Sequence, residues 1–99
     1  MPKMSEPDWT IHPGVHWAEA IAEDERTQRE IAAEMGISEK HLSQICNGAS
    51  LPSAEATVAF ARVTGAPVRL MWTLCCNYKL ELALGKKDLT AEMLNTPTR

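Results

Sequence analysis

The chain has 99 residues, 44% of them hydrophobic and 23% charged, with a formal net charge of −3 at pH 7. That length suits one domain with a modest core, too small to be comfortably stable as a monomer, so pairing of two copies is physically reasonable. No apolar run approaches the roughly 20 residues needed to cross a bilayer, and nothing reads as a signal peptide, so no membrane association and a cytoplasmic location are expected.

Residues 1–12 carry Pro2, Pro7 and many polar groups. They read as a flexible arm, with Trp9 and Ile11 as candidates for docking back. His12-Pro13-Gly14 is a turn that launches a first helix over about Val15–Glu25, with Trp17, Ala18, Ile21 and Ala22 inward. Thr27 is a good N-cap, and Glu30 three residues on completes a capping box. Ile31, Ala32 and Met35 then repeat at helical spacing, with Ala32 small where a second helix would cross. Gly36 ends that helix, because a left-handed residue is easiest for glycine. Ile37 packs under the turn, Ser38 is a second N-cap, and Leu42 and Ile45 point inward from the next helix. Asn47-Gly48 stops it.

The block Thr27–Gly48 therefore reads as a helix-turn-helix, whose second helix enters the major groove of DNA. The residues left facing out are Glu39, Lys40, His41, Ser43, Gln44 and Asn47, all polar and most able to exchange hydrogen bonds with bases or phosphates. A plain helical hairpin would share the apolar spacing. The joint agreement of small residue, glycine and caps is what favours the motif.

Ala49–Pro52 is a short connector, and Ser53 caps a fourth helix to about Thr64, with Glu55 favourable in its first turn. Its apolar surface comes from Ala56, Val58, Ala59, Phe60 and Val63. After Gly65, a fifth helix runs from about Pro67 to Leu84. It is apolar on more than one face, through Val68, Met71, Trp72, Cys75, Leu80 and Leu84. One face suits the core and the other suits a second subunit. Gly85 closes it. Residues 86–99 read as a polar tail, in which Leu89, Met93 and Leu94 make at most a weak helical turn. The predicted organisation is an arm (1–12), an all-α five-helix domain (13–85) and a tail (86–99), with no strand signal.

Charge is unevenly spread. Residues 1–25 sum to about −5, residues 26–48 to about 0, and residues 49–99 to about +2. The motif is not a basic patch, so its non-specific affinity for DNA should be weak. Reading would lean on helix N-termini, base contacts and two copies per operator. The acidic front end is a candidate surface for a basic protein.

Catalytic and metal chemistry find no foothold. Cys46, Cys75 and Cys76 lack CxxC spacing and read as reduced thiols. His12 and His16 are separated by Pro13-Gly14, which argues against a helical metal pair. Ser43 and Ser53 have no paired base, and Glu23, Asp24 and Glu25 form a solvated charge cluster. No cofactor, metal site or enzymatic activity is expected.

Ile11-His12-Pro13-Gly14, the block TQREIAAEMGISEKHLSQICNG, the run SAEATVAFARVTG and a helix ending in Leu74, Asn77, Tyr78 and Leu80 together resemble the HigA-type antitoxins of the lambdoid repressor and Cro-like (XRE-type) helix-turn-helix class. The resemblance spans roughly residues 11–84. It implies a five-helix lambda-repressor-like fold, a homodimer, repression of the chain's own operon, and neutralisation of a basic, mRNA-cleaving toxin of the HigB type. It also implies DNA contact through Gln28 as a phosphate clamp, through Ser38, Glu39, Lys40, Ser43 and Gln44 at bases or neighbouring phosphates, and through Asn47 at the backbone. Pro67-Val68-Arg69-Leu70-Met71 and Cys75 depart from the family pattern, which bears on the dimer surface. A stand-alone, phage-type regulator without a toxin, and an interaction adaptor that has lost DNA binding, remain alternative readings.

Overall fold

The computed structural model describes residues 7–94. Among them the chain forms, in order, β1 (Trp9–Thr10), α1 (Gly14–Ala22), α2 (Gln28–Met35), α3 (Glu39–Cys46), α4 (Ala54–Thr64), α5 (Val68–Ala83), β2 (Lys87–Asp88) and α6 (Thr90–Leu94). The architecture is the all-α, lambda-repressor-like one that the sequence predicted, with a sixth short helix added.

Local chemistry sets most boundaries. Thr27 accepts from the Glu30 amide (3.1 Å) and Glu30 accepts from the Thr27 amide (2.8 Å), so two otherwise unpaired donors at the start of α2 are satisfied reciprocally. At its other end Gly36 sits at φ 79°. The Ile37 amide donates back to the Ala32 carbonyl and the Gly36 amide to that of Ala33, a pattern that needs a left-handed residue there. Ser38 and Ser53 cap α3 and α4 by accepting from the His41 and Ala56 amides.

The core gathers Trp17 from α1, Ile31, Ala32 and Met35 from α2, Leu42, Ile45 and Cys46 from α3, Ala56 and Phe60 from α4, and Met71 from α5. Trp17 and Phe60 stack face to face, with centroids 4.1 Å apart and planes at 14°. Ile37 packs against this cluster beneath the turn.

Three features depart from the sequence reading. First, α1 ends at Ala22 rather than near Glu25. The Asp24 carboxylate accepts from the Arg26 amide and guanidinium, a local turn that competes with continued helix. Second, arm and tail meet. Trp9 pairs with Lys87 and Thr10 with Asp88 as parallel strands, which the sequence did not signal. The Thr10 hydroxyl bonds the Glu81 carboxylate, and the His12 amide donates to the Thr90 hydroxyl at 2.7 Å. Thr10, His12 and Thr90 are consequently buried. Residues 1–6 and 95–99 lie outside the described residues. Third, α5 buries Tyr78, which the sequence reading did not count among its apolar residues, beside Met71 and Cys75, while Leu80 and Leu84 stand 59% and 64% exposed. Its second apolar face is thus uncovered in the single chain.

Candidate nucleic-acid interface

The eight residues of α3 and its C-cap Asn47 divide by face. Leu42, Ile45 and Cys46 are buried against the core. Lys40 and Asn47 are exposed and Ser43 and Gln44 half-exposed, and these four share one face at i, i+3, i+4 and i+7 spacing. Glu39 is exposed in the first turn, and His41 is half-buried at the flank of this stripe. Gln28 is half-exposed at the first position of α2. Every residue that the sequence nominated is therefore open to solvent at least in part.

Two nominees are already engaged locally. The Ser38 hydroxyl accepts from the His41 amide at 3.0 Å, so its oxygen is committed to the cap while its proton is free to donate. The Asn47 Oδ1 accepts from the Ala49 amide at 3.1 Å, which leaves its NH₂ group to face outward.

Electrostatics confirm how little bulk charge the surface offers. Arg26 bonds Asp24 through Nε and Nη2, Glu34 through Nη1 at 2.9 Å, and the Val63 carbonyl at 2.6 Å. It ties the α1–α2 loop to α2 and the end of α4, and is spent as a candidate phosphate ligand. Its guanidinium holds the Asp24 carboxyl down to about 2. The Thr27 backbone amide likewise lowers the Glu30 carboxyl. The cations left on α2 and α3 are Arg29 and Lys40, beside the acidic Glu30 and Glu39.

The two buried thiols, Cys46 and Cys75, fit an inert role. Burial pushes Cys46 up to about 11 and also raises Cys75, the opposite of what a reactive thiolate needs. All three cysteines are free. Among the described residues no group of three or more His, Cys, Asp and Glu converges as a metal site, and no helix is long and apolar enough to cross a membrane.

One structural role escaped the sequence reading. His12 is 2% exposed, and its Nδ1 accepts from the Gly14 amide at 2.8 Å. Gly14 in turn lies so close to α3 that a Cβ built on it would stand 1.8 Å from the Ile45 carbonyl oxygen. The only sequence signal was a glycine at the first helical position, where most helices have no need of one.

Two helices joined by a glycine turn, the second capped by serine and carrying a polar stripe outward, define a helix-turn-helix of the lambda-repressor-like class. A family model described as a helix-turn-helix domain matches residues 18–72, more than half of the chain, and the chain belongs to that family. It is on this ground a DNA-binding, regulatory type of protein, of a family that is typically non-enzymatic. No curated protein matches the chain. The family match begins after His12-Pro13-Gly14 and ends before β2 and α6, so the clasp between arm and tail lies outside it.

Proposed function

We propose that this chain is a homodimeric, sequence-selective transcriptional repressor of the HigA antitoxin type, acting on operator DNA in the cytoplasm and pairing with a basic toxin. The observation that carries the DNA reading is the stripe of Lys40, Ser43, Gln44 and Asn47, outward on a helix whose other face is fully buried. Such a helix is held rigidly while its polar side chains stay open to base edges. Gln28 at the start of α2 suits a phosphate, since unpaired amides and the helix dipole favour an anion there. Ser38 and Glu39 open α3, and His41 flanks the stripe. The near-neutral motif limits counterion release, so affinity has to come from base contacts and from two copies on one operator.

Support for the dimer comes from α5 and its C-cap, where Leu70, Leu80 and Leu84 are each more than half exposed. Apolar residues gathered on one helix are what a second subunit covers. The toxin reading rests on the family resemblance and on the acidic segment before the motif, which complements a basic partner.

Lys40→Ala and Gln44→Ala are each expected to weaken operator binding by ~1–3 kcal/mol, while Gln28→Ala weakens binding to any duplex. The check is a gel-shift titration against the operator and a scrambled duplex. Unchanged operator affinity in both Lys40→Ala and Gln44→Ala would mean that α3 does not read the groove in this orientation. Co-expression with the adjacent small open reading frame tests the toxin arm, and neither growth rescue nor co-purification would leave a stand-alone regulator.

A further inference from the structure

The clasp outside the family match touches the exit of the reading helix. Gly48, two residues beyond α3, packs so that a Cβ on it would lie 3.0 Å from the Thr90 methyl and 3.8 Å from the His12 ring. The Thr90 hydroxyl accepts from the His12 amide and donates to Asp88, and Asp88 accepts from Tyr78 Oη at 2.6 Å. The Tyr78 ring meets the His12 ring edge to face at 5.1 Å. His12 is thus held from α5, β2 and α6, and its own Nδ1 holds the Gly14 amide that presses on Ile45 of α3.

This arrangement depends on a lone pair. A ring that accepts at Nδ1 is neutral with its proton on Nε2. Protonation at Nδ1 would set two donors, the ring N–H and the Gly14 N–H, against each other at a distance now 2.8 Å. The Nε2 atom has no well-formed hydrogen bond, although the Ser50 backbone lies near the ring.

We propose that His12 is a positioning residue for DNA reading: its neutral ring locks the exit of α3 through Gly14 and Gly48, and protonation of the ring releases that lock. This rests on the DNA-binding reading above.

The charged and titratable groups that face the ring are few. Asp88 comes from β2 and Tyr78 from α5, while Thr90 of α6, Gly14 of α1 and the Gly48–Ser50 segment offer uncharged groups. Glu81 lies one link further, on Thr10. Burial lowers the His12 pKa below its ordinary value of 6.5, against smaller raising effects of the Ser50 backbone and the Asp88 charge. A lowered histidine pKa makes the unfolded chain the better proton binder. The stability that His12 contributes is therefore complete above about pH 6.5 and is lost as pH falls from there toward the lowered value. Asp88 loses hydration, which opposes ionisation, but the bonds from Thr90 and Tyr78 prevail and keep it a carboxylate. Tyr78, raised to about 12 by burial and by Asp88, stays a donor throughout.

The test compares the full chain with His12→Asn, whose Oδ1 stands where Nδ1 did and accepts from Gly14 without titrating. A duplex enriched from a random pool by the wild-type chain at about pH 7.5 serves as the specific probe, and a scrambled duplex as the other. His16 and His41 are present in both proteins, so the difference between their pH profiles isolates His12. From about pH 7.5 to 5.5 the wild-type ratio of specific to scrambled affinity is expected to fall clearly further than that of His12→Asn, because only the wild-type ring gains a proton that breaks the Gly14 contact. In the free chain, the Gly14 and Gly48 amide resonances should titrate together in wild type and stay fixed in His12→Asn. Thr90→Val, which removes the acceptor for His12 while keeping its shape, should lower the ratio already at pH 7.5 and serves if His12→Asn fails to fold.

Parallel pH profiles in the two proteins, or an unchanged ratio in Thr90→Val, would overturn the proposal and leave DNA binding intact. Amide resonances that do not titrate in the wild-type free chain would overturn it independently of DNA. Failure to enrich any duplex would overturn the DNA-binding reading, and the proposal with it.

Discussion

Truncating Phe60 to alanine is expected to cost about 3–5 kcal/mol of folding stability, the usual range for deleting a buried aromatic ring. Phe60 is fully buried and is the face against which Trp17 stacks at 4.1 Å. Its removal leaves that indole without a partner on one side, and Trp17 cannot compensate by turning outward because α1 is itself anchored at Gly14. For a domain with a typical total of about 5–15 kcal/mol, the loss would take most or all of the stability at the lower end of that range and leave up to about half of the chains unfolded. Urea unfolding followed by tryptophan fluorescence measures it directly. Phe60→Leu, which keeps most of the volume, should lose much less, because hydrophobic swaps of similar size are tolerated best. A midpoint in Phe60→Ala close to that of wild type would show that α1 and α4 are held by something other than this stack.

The helix-turn-helix was legible because its determinants are local. Thr27 with Glu30, Gly36 and Ser38 act within a few residues of themselves, and each was found in the role its position suggested. The outward stripe was legible for the same reason, since helical periodicity alone separates Lys40, Ser43, Gln44 and Asn47 from Leu42, Ile45 and Cys46. The end of α1 was not, because Glu23, Asp24 and Glu25 satisfy helical composition, and the stop is an Asp24–Arg26 turn made by one carboxylate. The clasp was invisible for a different reason. Two-residue strands carry no alternation to detect, and their pairing joins positions 78 residues apart. In α5, apolar residues on several faces left the inward side undecided. The Tyr78 hydroxyl found Asp88 and the ring turned inward, while Leu80 and Leu84 stayed out. His12 was read as part of a turn because what makes it structural, the Gly14 amide and the Thr90 hydroxyl, becomes apparent only once α6 folds back.

Gly14→Ala is expected to destabilise the chain by about 3 kcal/mol or more, at the upper end of what overpacking does to a well-packed core. The sign makes the prediction sharp. Inside a helix, glycine to alanine normally stabilises by roughly 0.5–1 kcal/mol, since alanine has less backbone entropy to lose. Gly14 does not have a positive φ, so backbone strain is not the issue. The obstacle is steric: the added Cβ would meet the Ile45 carbonyl oxygen at 1.8 Å, its carbon at 2.8 Å and His12 Nδ1 at 2.9 Å. Two of these are backbone atoms of α3, and no rotamer change removes them. Either α1 withdraws, opening the core around Trp17, or the last turn of α3 yields. The second route shifts Gln44 and Asn47 relative to Lys40, so operator affinity should fall more than affinity for a scrambled duplex. Thermal melts of Gly14→Ala beside wild type, with both duplexes titrated below the variant's melting range, measure the two effects separately. A variant that melts at or above the wild-type temperature would mean that α1 and α3 do not approach as closely as this, and the lock through His12 would lose its point of contact.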